Sequence, residues 1–192
     1  MRDSSLHAVN IQEPRKPMEQ IDRATRYLER MREIYAGMAI LYDDRKRFED
    51  DVVSFFVHCH HIGDWFAQLN QVNMTPAQVN AFINQHEALR VCADLCNGSK
   101  HCKLTRMLRT GRQPHIALKH YRASTWLTDG GGEEVLKGRY SILTASGPID
   151  ALALAEQCLK LWVDLVAAIR TKVAEGAGID SPELLLPPTT LA

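Results

Sequence analysis

Phe48, Val52, Phe55, Cys59, Ile62, Phe66 and Leu69 recur at intervals of three and four residues along one unbroken stretch of chain. A stripe with that period runs along one side of an α-helix and has to be covered by other elements, so it constrains the fold more than any other feature. Val57 and Trp65 fall off the stripe. That predicts a central helix, or one with a second face packed against another copy of the chain in a homodimer.

Three further stretches share the period. Ile21, Ala24, Leu28, Met31, Tyr35 and Met38 mark an earlier amphipathic helix whose other face carries Arg23, Arg26, Glu29, Arg30 and Glu33. Thr75, Pro76 and Gln78 supply a cap, a first-turn proline and a capping-box partner for a third helix running through Val79, Phe82, Leu89, Ala93 and Cys96. A last helix starts near Pro148 or Asp150 and continues through Leu152, Ala155, Leu159, Trp162, Val166, Ile169 and Val173. Residues 112–147 break the pattern, because TDGGGEE is a turn and GRYSILTAS is short and partly alternating. The expected fold is mainly all-α: a four- to five-helix bundle with a small β-hairpin, within residues 112–147, inserted before the last helix. Residues 18–174 form its single domain, 1–17 a flexible arm and 175–192 a tail containing glycine and proline.

A chain of 192 residues suits one domain. Lys plus Arg and Asp plus Glu number 23 each, so any preference for nucleic acid must come from local patterning. The N-terminal stretch is charged where a signal peptide would be apolar, and no apolar run is long enough to span a bilayer, which predicts a cytoplasmic protein with no membrane partner. Cys59, Cys92, Cys96, Cys102 and Cys158 are odd in number and sit mostly on apolar stripes, as reduced buried thiols do.

Chemistry concentrates near the end of the third helix. Arg90, Asp94, Asn97 and His101 are spaced by four, three and four, so they share one flank if the helix persists. Asn97-Gly98 also reads as a helix end with Gly98 in the left-handed conformation. His61 and Asp64, three apart on the second helix, could join this cluster in an acid–base or phosphate-binding constellation, or all of them could form a polar network that fixes the bundle's register. Between Leu95 and Thr128 no acidic residue occurs, while Lys100, Lys103, Arg106, Arg109, Arg112, Lys119 and Arg122 accompany His101, His115 and His120. Such a basic segment could track an RNA or nucleotide backbone. His58 to His61, and Cys92, Cys96, His101 and Cys102, gather ligand types without any C-x-x-C pair, so no metal and no cofactor is expected. Nucleotide-binding glycine motifs and the G-x-S-x-G elbow are lacking.

The long helices together with CNGSKH at residues 96–101 resemble the HEPN superfamily of small helical bundles in bacterial toxins, defence systems and RNA-processing nucleases. Asn97 and His101 match the polar residue and histidine of that family's motif, whereas Cys96 stands where its arginine belongs. The resemblance implies a metal-independent ribonuclease with a composite site across a dimer. Taken with the spacing and the basic segment above, the catalytic residues would be His101, Asn97 and Lys100, and Arg90, Asp94, His61, Asp64, Lys103 and Arg106 would bind the RNA or nucleotide. Lys100 or Arg90 would replace the missing arginine's charge, or the domain would be inactive. Two alternatives stand beside it: a non-catalytic dimeric interaction module with a protein partner, of the antitoxin or defence-accessory kind, and a metal-dependent enzyme using His61, Asp64, Asp94 and His101.

Overall fold

The computed structural model describes residues 16–39, 45–68, 74–100, 107–128 and 131–174. In chain order these form α1 (Lys16–Ala36), β1 (Met38–Ala39), α2 (Arg45–Gln68), α3 (Pro76–Gln85), α4 (Glu87–Lys100), β2 (His115–Thr128), β3 (Gly131–Thr144), β4 (Gly147–Asp150) and α5 (Ala151–Ala174). The predicted arm and tail, and Leu69 of the second stripe, lie almost wholly or wholly outside these residues.

The α2 stripe is the centre of the core: Phe48, Val52, Phe55, Cys59, Ile62 and Phe66 are all buried, and α2 packs against α1, α3, α4 and α5. That central position accounts for the apolar residues off the stripe within the chain itself, since Trp65 lies half-buried beneath the Arg23 guanidinium of α1. Arg30 meets Asp51, Tyr27 meets His58 and Arg23 meets Trp65, an order that makes α1 and α2 antiparallel. Cys59, Cys92 and Cys158 bring α2, α4 and α5 together in the dry interior. The Cys92 thiol donates to the Phe56 carbonyl at 3.4 Å and the Cys158 thiol to the Ala88 carbonyl at 3.3 Å.

The cap read at Thr75 is realised. Thr75 Oγ1 accepts from the Gln78 amide while the Gln78 side chain accepts from the Thr75 amide, and Pro76 opens α3. Asp150 Oδ1 accepts from the amides of Leu152 and Ala153, both at 3.0 Å, and so starts α5. The third helix, however, is two. His86 adopts an extended conformation, donates its N–H to the Ile83 carbonyl at 3.3 Å and accepts the Arg90 amide at 3.0 Å, ending α3 and opening α4. Nothing in the INQHE sequence marks that break.

The expectation of a mainly all-α bundle is corrected by a four-stranded antiparallel sheet. Its hairpin is large, with β2 and β3 paired from His115↔Leu143 to Thr128↔Gly131 around one bulge between Ile116 and Leu118. Since β2 takes one edge of β3, both short strands share the other: β1 beside Val135 and Leu136, β4 beside Ser141 to Thr144. Leu136, Gly138, Tyr140, Ile142 and Thr144 alternate inward and are buried, with α1 and α5 packed on that side. A Cβ on Gly138 would lie 2.9 Å from Ile34 Cγ2, so glycine lets α1 close onto the sheet. The result is a helical layer on one face of an antiparallel sheet whose other face no described helix covers. Among the described residues no helix is long and apolar enough to cross a membrane.

Candidate functional site

The helix that carries Arg90, Asp94 and Asn97 persists through Lys100, so Gly98 is helical rather than the left-handed end of a helix. Its role is close approach, since a Cβ there would fall 2.1 Å from the Gln113 side-chain nitrogen. That nitrogen donates to the Asp94 carbonyl at 3.0 Å. The Asp94 carboxylate is 2 % exposed and points the same way. Oδ1 accepts the Arg109 amide at 3.1 Å, and Oδ2 accepts the Thr110 amide at 2.8 Å with the Thr110 hydroxyl 2.7 Å away. Arg109 then reaches Asn80 and Asn84 of α3. Asp94 therefore acts as an anchor for the turn that leads into β2, and both of its carboxylate oxygens accept hydrogen bonds from it.

Arg90 and Asn97 are half-buried on the same helix, and no partner for Arg90 Nε is found among the described residues. The Lys100 side chain and all of His101, Lys103 and Arg106 lie outside the described residues. On α2, His61 Nδ1 is 2.6 Å from the Val57 carbonyl and must donate to it, while Nε2 stands 3.9 Å from Asp64 Oδ2. Asp94 is turned to residues 109 and 110, whereas His61 and Asp64 face one another on α2. Among the described residues no three His, Cys, Asp or Glu side chains group to hold a metal ion, and His101, the fourth member of the metal-dependent alternative with His61, Asp64 and Asp94, lies outside them.

The basic segment is divided by the fold. Arg109 serves α3, and Lys119 pairs with Glu49 at 2.6 Å. His120 and Arg122 instead stand on the outer face of the sheet, directly opposite Arg139 and Lys137. All four are exposed. Arg122 and Lys137 are like charges directly opposite across an antiparallel ladder, which destabilises it by about 0.2–1 kcal/mol, so this pair works against the fold. Arg139 is held by the Tyr35 ring, 5.5 Å from its guanidinium carbon. Leu118, 51 % exposed and opposite Ser141, adds an apolar spot to the same face. Among described side chains the acid that register places there is Asp150, and its Oδ1 caps α5. Lys137 and Arg139 come from β3, where composition gave no sign of a basic surface; their alternate spacing, once the hairpin is paired, is the signal that locates them.

No family model matches the chain, and no curated protein or solved structure is found similar to it.

Proposed function

We propose that this chain handles RNA by binding its phosphate backbone along the outer face of the sheet. The observation that carries the reading is the basic cluster on that face, Arg122 opposite Lys137 with Arg139 opposite His120, exposed in a chain whose formal net charge is zero with histidine neutral. A flat cationic face neutralises successive phosphates and needs no deep pocket. Leu118 beside them offers a base an apolar contact.

Fluorescence anisotropy of a labelled single-stranded RNA across a salt series tests this. Binding should weaken steeply with salt, and Arg122→Gln or Arg139→Gln should each reduce the log–log slope by about 0.7. Absence of binding at low salt, or slopes unchanged in both variants, would sink the proposal. Cleavage of that RNA is a narrower proposal, resting on Asn97, Lys100 and His101, and it requires metal-independent activity that His101→Ala abolishes. A homodimer is likewise a proposal, decided by the molar mass from light scattering.

A further inference from the structure

Away from the sheet, α1 and α2 enclose a cleft of about 280 Å³ lined by Arg23, Arg26, Tyr27, Arg30 and His58. Arg23, Arg26 and Arg30 are spaced by three and four, which sets three guanidinium groups along one edge of α1. Their partners differ. Arg30 donates to Asp51 at 3.0 Å, Arg23 lies 5.7 Å over the Trp65 ring, and Arg26 makes no hydrogen bond or ion pair among the described residues. Among the described residues no carboxylate lines the cleft.

The histidine opposite is prepared as a neutral donor. Gln20, 3 % exposed, gives its amide nitrogen to the His58 carbonyl at 2.9 Å and lies 3.1 Å from His58 Nδ1. A carbonyl only accepts, so the group facing Nδ1 is N–H, Nδ1 accepts it, and the ring proton sits on Nε2. The ring is stacked on Tyr27 with centroids 5.1 Å apart. Burial, then Arg23 and Arg26 across the cleft and His61 on its own helix, hold the imidazole below its ordinary pKa.

We propose that this cleft binds a phosphate monoester. Arg26 and Arg23, the two guanidinium groups close enough to act on His58, and the imidazole itself line the cleft from two helices, while Arg30 is turned to Asp51; that donor set suits a tetrahedral dianion better than a planar carboxylate, which one arginine fork serves. The volume admits a phosphoryl group with a small organic remainder, below the size of an enclosed drug-like ligand. The site stands apart from the sheet and does not rest on the RNA reading. A free phosphoester and the 5′-phosphate of an RNA present the same chemistry.

The test is an NMR titration of the His58 ring in chloride and then in inorganic phosphate at equal ionic strength. In chloride His58 should titrate below 6.5, and saturating phosphate should move its midpoint upward, because a bound anion favours the imidazolium. Arg26→Gln should raise the apparent Kd for phosphate by about tenfold or more with the melting temperature unchanged, whereas Arg122→Gln should leave phosphate binding intact. Competition by glycerol phosphate places a free ester in the site, and competition only by a 5′-phosphorylated oligonucleotide, against its 5′-hydroxyl form, places an RNA end there. A His58 midpoint equal in both anions, wild-type affinity in Arg26→Gln, or acetate binding as tightly as phosphate overturns the proposal.

Discussion

The Tyr35 hydroxyl lies 3.1 Å from both the amide nitrogen and the carbonyl oxygen of Tyr140, accepting from one and donating to the other. On that edge of β3, β1 ends its pairing at Leu136 and β4 begins at Ser141. One phenol from α1 thus fills the interval between two strands and satisfies backbone groups that the ladder leaves open. Burial raises the Tyr35 pKa, so the hydroxyl keeps its proton for this purpose.

Tyr35→Phe should therefore cost about 1–3 kcal/mol, the range for leaving buried polar groups unpaired. Urea denaturation measures the loss. Hydrogen exchange at the Tyr140 amide should accelerate more than exchange elsewhere in β3, and uniform protection along the strand would contradict the bridging role.

Asp94→Ala separates anchoring from chemistry. Removing the carboxylate strands the Arg109 and Thr110 amides, and stability should fall by about 2–4 kcal/mol. Any RNA affinity, measured at a temperature where the variant is folded, should stay near the wild-type value. A variant as stable as wild type would show that the turn at residues 109–110 does not depend on Asp94.

Arg122→Thr should have opposite effects on stability and binding. It relieves the facing Lys137 and places a β-branched residue in a strand, so stability should rise by about 0.2–1 kcal/mol while RNA binding weakens. Equal or lower stability would mean that the cross-strand charges do not repel in the folded protein.

His58 and His86 both have pKa values lowered from 6.5, burial being the first cause in each. The unfolded chain then takes up protons before the folded one, so stability is complete above about pH 6.5 and declines as pH falls from there through the lower folded values. Denaturant midpoints at pH 7.5 and 5.5 should show the decline, and replacing both histidines with glutamine should flatten it.

The core thiols should be chemically silent. Burial holds Cys59 and Cys158 well above the ordinary thiol range, and Cys59, Cys92, Cys96 and Cys158 are all buried. A thiol reagent should leave these four unmodified in native protein and modify them in denaturant. Fast native labelling of Cys59 or Cys158, mapped by mass spectrometry, would be inconsistent with this core.

What the sequence disclosed follows from how local each signal is. The α2 stripe and the cap at Thr75 rest on residues within a few positions of one another and were legible, and the start of α5 was legible to within Pro148 or Asp150. The sheet was underestimated because the inward positions of β2 are thinly apolar: Lys119 and Ala123 face Tyr140 and Leu136, so alternation is faint until the partner strand is known. Both β1, two residues long, and the Tyr35 bridge depend on distant partners and leave no periodic trace. The same holds for the site. Asp94 is bound by residues fifteen and sixteen positions onward, and the spacing that aligned it with Asn97 said nothing of that turn. Arg23, Arg26 and Arg30 were visible as one face of α1, but only His58 and Gln20 turn that face into a cleft.

β3 draws its partners from residue 38, residue 115 and residue 150. A ribosome that has released α1, β1 and the intervening helices has still not provided the strand against which β1 is to lie. Loop closures of this span are entropically slow to make and reward the chain only when finished, so folding should run well behind that of a helical bundle of equal length. The earlier helices must wait, with the apolar side of α1 uncovered by the sheet, until residues 131–150 have emerged.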